Sequence, residues 1–148
     1  MKKDIAPKYD YNRETGEATC TLTYMNLEFV GKAKCHPEDM SLSSSMTGLT
    51  IAEMRATIKY LQFVKNCVLK PELKSLEQYY YSINKSSRYN DKGYEATMLK
   101  RQIDLKTLDL NTIKDMIKIK KEELRTYIAD KDKVFRIIKE IRAEDKNG

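Results

Sequence analysis

Between Tyr94 and Asn147 the chain carries neither glycine nor proline. With both breakers missing, nothing local forces the backbone out of a helix, and most residues there are good helix formers. Ile113, Ile117, Leu124, Ile128, Val134 or Phe135, Ile138 and Ile141 recur at three- and four-residue spacing. The spacing is close to a heptad, with Lys120 and Lys131 interrupting it. Tyr94 to Leu105 reads as one helix. After the Leu108-Asp109-Leu110-Asn111 stretch, Asn111 or Thr112 can cap another. One long helix and an antiparallel helical hairpin both satisfy this pattern. Such a stripe is too long to bury on one small sheet, so part of it must meet other helices or a second chain.

The first third of the chain has a different period. Ala18, Cys20, Leu22 and Tyr24 alternate with threonines, and Leu27, Phe29, Gly31 and Ala33 alternate with Glu28, Lys32 and Lys34. A period of two with β-forming residues predicts strands, joined by a tight turn at Met25-Asn26. Lys8 to Tyr11 adds a short strand before the turn-like Asn12–Gly16 stretch, completing a meander. Gly31 and Ala33 leave room for the helix that follows. Pro37 ends the last strand, and residues 38–48 read as a polar loop. Thr50-Ile51-Ala52-Glu53 fits a capping box, opening an amphipathic helix to about Leu69. Pro71 stops that helix and begins a second. The expected fold is therefore α+β: a small N-terminal antiparallel sheet with a packed helix, then a helix-rich C-terminal part. Residues 1–84 form the sheet and two helices, 85–93 a polar linker, and 94–148 a helical arm packed on the first part or on a partner chain.

Composition narrows the functional classes. Apolar residues make up 41% and charged residues 34%, too apolar for a fully disordered chain. No long apolar run and no signal-peptide pattern follows Met1-Lys2-Lys3, so a cytoplasmic protein without a membrane span is expected. Three cysteines without paired spacing argue against a disulfide framework. Residues 1–50 hold 6 Lys/Arg against 7 Asp/Glu, and the remainder holds 22 against 15. The basic excess lies in the later part, as it would for an acidic partner or for solvated helix faces.

Each candidate site has a plain structural alternative. Cys35 and His36 are adjacent in CHPED, and His36 is the only histidine. Adjacent strand residues point to opposite faces, and no second ligand pair completes a zinc tetrahedron. Nucleophilic catalysis is as awkward, so a strand end turned by Pro37 is the better reading, with no catalytic, metal or cofactor residue assigned. Ser43, Ser44, Ser45, Thr47, Gly48 and Thr50 surround the expected helix start and could hold an anion, but they match no phosphate-loop spacing. Arg55 and Lys59 share a helix face, which is read as solvated. Tyr79, Tyr80 and Tyr81, followed by Arg88 and Tyr89, mix aromatic and basic side chains, as contact surfaces do. Three successive tyrosines cannot all face one side of a helix, so at least one must be exposed. Lys114, Lys118, Lys120 and Lys121 form a basic run that could meet phosphates, although the nearby Glu122 and Glu123 suggest ordinary surface pairing. The residues expected to contact a partner are Tyr79, Tyr80, Tyr81, Arg88, Tyr89, Lys114, Lys118 and Lys121.

Taken together, FVGKAKCHPEDM, TGLTIAEMRATIKYL and KGYEATMLKRQID resemble a family of small phage and mobile-element proteins of Gram-positive bacteria, over about residues 9–142. The family carries no assigned activity from which functional residues could be transferred. The resemblance implies a context in which small accessory proteins act by binding, often on host defence machinery such as RNA-guided CRISPR nucleases. The resulting expectation is a non-enzymatic, anti-CRISPR-like inhibitor that occludes its target. A nucleic-acid-binding phage regulatory or replication accessory protein is the alternative, and a homo-oligomer zipped by the C-terminal helices is a third reading.

Overall fold

The structure, a computed structural model, describes residues 6–34, 45–85 and 92–147. Three strands, β1 (Ala6–Asn12), β2 (Glu17–Tyr24) and β3 (Leu27–Lys34), form an antiparallel sheet in the order β1-β2-β3. Both turns fall where the sequence placed them. In the first, the Asn12 Oδ1 accepts from the amides of Glu14 (2.9 Å) and Thr15 (3.3 Å). Gly16, at φ 73°, donates its amide to the Asn12 carbonyl at 2.8 Å. In the second, Met25 (φ 49°) and Asn26 (φ 67°) are both left-handed, as a two-residue hairpin matched to strand twist requires.

The strand register aligns three rows of side chains on one face: Pro7–Leu22–Phe29, Tyr9–Cys20–Gly31 and Tyr11–Ala18–Ala33. In the last two rows the side chains shrink from β1 to β3. That taper opens a shallow trough over β2 and β3, and helix α1 (Ser45–Phe63) lies in it. Ala18, Cys20, Leu22, Ala33, Ala52 and Ala56 form the core, with Tyr11, Phe29, Leu49, Ile51 and Tyr60 packed around it. Tyr60 stands edge-on to both Tyr24 (5.6 Å between ring centroids) and Phe29 (5.5 Å). The opposite sheet face carries Lys8, Asp10, Thr19, Thr21 and Lys32.

Helix α1 begins earlier than the capping pattern suggested. Ser45 to Gly48, expected in the loop, are already helical. The Thr50 hydroxyl donates to the Met46 carbonyl at 2.7 Å, so Thr50 bonds back along the helix instead of capping it. Glu53 accepts a hydrogen bond from the Tyr9 hydroxyl and takes no part in a capping box. Packing overrides the local signal here. Gly48 was read as a loop residue, yet a Cβ built on it would stand 3.0 Å from the Ala18 Cβ. Its missing side chain lets the first turns of α1 settle on β2.

Contact density divides the chain into two compact units, Met1–Tyr60 with Ile119–Gly148, and Leu61–Lys118. In the second unit, α1 passes into a π-helical stretch, Val64–Leu69, and then into α2 (Lys70–Lys85). The expected stop before Pro71 does not occur. Phe63 and Lys70 keep helical dihedrals, and the Lys70 amide bonds the Lys65 carbonyl five residues back. The wider π turn shifts the carbonyls that the Pro71 ring would otherwise strike, so the helix absorbs a residue that cannot donate.

The last element, α3, is one helix from Lys92 to Asn147. This settles the choice between a rod and a hairpin within residues 94–147. No cap forms at Asn111 or Thr112, and the Thr112 hydroxyl donates to the Leu108 carbonyl at 2.9 Å inside the helix. Leu99, Ile103, Leu110 and Ile117 are buried. The two lysines that interrupt the stripe are half-buried, with their ammonium groups engaged. Lys120 pairs with Glu123 at 3.1 Å, and Lys131 lies 5.4 Å from the Tyr127 ring centroid. Their stems fill stripe positions while the charges reach outward. Among the described residues, no helix is long and apolar enough to cross a membrane.

Candidate functional site

Within Leu61–Lys118, two polar contacts tie α2 to the first part of α3 in antiparallel fashion. The Tyr79 hydroxyl donates to Glu95 Oε1 at 2.7 Å, and Lys106 pairs with Glu72. Between the helices runs an open groove of about 790 Å³, whose walls include Leu76, Tyr79, Gln102, Leu105 and Asp109. The Glu95 hydrogen bond, then the charge of that carboxylate, raises the Tyr79 pKa above the ordinary tyrosine value. Tyr79 therefore stays neutral, with its ring over the groove and its hydroxyl committed. Of the three successive tyrosines, Tyr80 is half-buried while Tyr79 and Tyr81 are exposed, as their 100° helical spacing demands.

The sequence reading missed a second apolar face on α3. Tyr94, Met98, Leu105, Leu108 and Met116 are all exposed, Tyr94 to 78% and Leu108 to 61%. They lie on the side of the helix away from Leu99, Ile103, Leu110 and Ile117. The three- and four-residue spacing of Tyr94-Met98 and Leu105-Leu108 was visible in the sequence, but the buried stripe on the other side carries the same period. Only burial separates the two.

The expected basic contacts lie along α3. Lys114 and Lys118 are one turn apart and exposed; Lys121 follows three residues later, also exposed. The expected surface pairing is present: Glu123 pairs with Lys120 of the run at 3.1 Å, and Glu122 with Arg125 at 2.9 Å. Among the described residues, Lys114, Lys118 and Lys121 form no ion pair. Arg55 and Lys59 are not simply solvated. Arg55 Nη1 donates to the Lys32 carbonyl and Lys59 Nζ to the Val30 carbonyl, each at 2.6 Å. They close the outer edge of β3.

Arg88 and Tyr89 lie outside the described residues, as do Cys35, His36, Ser43 and Ser44. Ser45, Thr47 and Gly48 lie in the first turn of α1, and Thr50 follows in the second, its hydroxyl bonded back to Met46. Cys20 is buried beneath α1, and burial, with a smaller contribution from Glu53, pushes its thiol pKa up, which suits an inert core thiol. Cys67 is exposed. Among the described residues, no three His, Cys, Asp or Glu side chains gather as metal ligands would. No protein-family model, curated protein or solved structure matches the chain.

Proposed function

We propose that the chain is a non-catalytic binding protein that holds a protein target against the α2–α3 surface of Leu61–Lys118. The observation that carries this reading is the exposed run of Tyr94, Met98, Leu105 and Leu108 beside the groove edged by Tyr79. Exposed apolar side chains in sequence along one helix face mark interaction sites more often than ordinary surface, and tyrosine and methionine are favoured at contacts. The target class follows from the family resemblance: a bacterial defence protein, an RNA-guided nuclease for instance, inhibited by occlusion in the host cytoplasm. Tagged protein incubated with nuclease-treated lysate of a Gram-positive host, and washed at high salt, should retain one defence protein. Leu105→Ser with Leu108→Ser should release it. Retention of that protein by the double variant, or catalysis by the isolated chain, would overturn the proposal.

A second reading rests on Lys114, Lys118 and Lys121, which form no ion pair among the described residues, and assigns α3 to a phosphate backbone. It expects affinity for nucleic acid that falls steeply with salt, and a shallower salt dependence when these lysines become glutamine. Recovery of nucleic acid alone, lost at high salt, would favour it.

A further inference from the structure

The two edges of the sheet are treated differently. On β3, the Val30 and Lys32 carbonyls face outward and are taken by Lys59 and Arg55. Backbone groups alternate along an antiparallel ladder, so this fixes the direction of every other group in the sheet. Through the register, Leu22, Cys20 and Ala18 bond toward β3, while Thr23, Thr21 and Thr19 bond toward β1. Their partners Ala6, Lys8 and Asp10 bond inward, which leaves Pro7, Tyr9 and Tyr11 with backbone groups pointing off the open edge of β1. Every residue of β1 except Tyr11 is exposed. An uncovered edge is a template for another strand.

The side chains of this edge are self-complementary. We propose that β1 pairs antiparallel with β1 of a second copy, centred on Tyr9, to join two sheets into one of six strands. In that register Tyr9 faces the partner copy's Tyr9, and the two exchange a pair of hydrogen bonds. The Tyr11 amide donates to the opposite Pro7 carbonyl. Pro7 has no amide hydrogen, so the position that cannot donate costs only the outermost bond at each end. Lys8 lies directly across from Asp10 and Asp10 from Lys8, giving two opposite-charge cross-strand pairs on the sheet face away from α1. Shifting the register by one residue would turn the tyrosines to the wrong face, and shifting it by two would lose both charge pairs and set like charges opposite each other. The association uses neither the C-terminal helices nor the α2–α3 surface, so it stands independently of the proposed target.

Light scattering after size exclusion, at submillimolar concentration and low salt, should report a dimer. Lys8→Asp or Asp10→Lys places like charges across both pairs and should raise Kd about tenfold or more, while the double swap K8D/D10K should restore dimerisation. Hydrogen exchange on the wild-type chain supplies a second test without any variant. The Tyr9 and Tyr11 amides, which point off the sheet edge and have no partner among the described residues, should become protected as concentration rises. A wild-type monomer throughout this range would overturn the proposal. So would a dimer indifferent to the charge reversals, or tyrosine amides that stay unprotected in the dimer.

Discussion

A methyl group on Gly31 would overlap the carbonyl oxygen of Ala52, and it would collide with the amide nitrogen of Ala56 as well. Both obstacles are helix backbone, which cannot rotate aside as a side chain could. Gly31→Ala should therefore cost about 3 kcal/mol or more by chemical denaturation, at the upper end of overpacking penalties. Gly93→Ala is the matched control. Nothing lies within 4 Å of a Cβ there, and stability should stay within about 0.5 kcal/mol of the wild type.

Lys59 and Arg55 close the β3 edge with charged donors, so their loss should act on stability and on solubility separately. Lys59→Met keeps most of the aliphatic stem and removes the donor. At an exposed site the expected cost is about 1 kcal/mol, and the double change with Arg55→Met should approach twice that if the two bonds are independent. The double variant should also scatter light at concentrations where the wild type remains clear, because the uncovered carbonyls invite strand pairing. Unchanged stability together with unchanged scattering would show that these contacts are ornamental.

What was legible in the sequence followed from periodicity; what was hidden followed from packing. Alternation over residues 17–34 announced two strands, and the small Gly31 and Ala33 announced the helix over them. The freedom from breakers after Tyr94 announced helix but left a rod and a hairpin equally open, and its period could not say that Leu110 is buried while Leu108 is exposed. Local caps misled. Thr50 and Glu53 have the chemistry of a capping box, yet Glu53 is taken by Tyr9, which is remote in sequence. Pro71 has the chemistry of a stop, yet the π turn before it accommodates the ring. The roles of Arg55 and Lys59 could not be read, because their acceptors are backbone carbonyls on a strand more than twenty residues away.

Met25 occupies a left-handed position that suits asparagine or glycine better than a long side chain. It is exposed, so the core does not depend on it. Met25→Asn should stabilise the protein by about 0.5–1 kcal/mol while leaving the sheet register unchanged. Thermal unfolding, with amide chemical shifts of Tyr24 and Leu27 as a check on register, would measure this. A loss of stability would mean that the Met25 side chain makes a contact worth more than the backbone strain.

The Tyr79–Glu95 hydrogen bond predicts an alkaline limit. The neutral hydroxyl donates to the carboxylate, whereas a phenolate could not donate and would face a like charge. The pKa of Tyr79 in the folded chain is therefore raised above its ordinary 10.0. A raised folded-state value contributes stability that is complete below pH 10.0 and is lost as pH rises through the raised value. Tyr9, Tyr60 and Tyr79 should contribute a late step by ultraviolet difference absorption, and Glu95→Gln should move one tyrosine's share of it back down. Tyr79→Phe should remove that share and leave the rest of the late step in place. A late step undiminished in Tyr79→Phe would assign it wholly to Tyr9 and Tyr60, whose pKa values are also raised, mainly by burial.

The two apolar faces of α3 make opposite predictions. Ile117 is buried on one and Leu108 is exposed on the other. Ile117→Ala should cost about 2–5 kcal/mol, the usual range for emptying a core site. Leu108→Ser should change stability by no more than about 0.5 kcal/mol, because its side chain is already largely in water. If Leu108 belongs to a contact surface, the same substitution should still abolish target retention. Stability and binding would then separate cleanly: a folded chain that no longer binds, beside a destabilised chain whose binding recovers wherever it is still folded. A large stability loss in Leu108→Ser would place that face inside the fold and remove it from the binding surface.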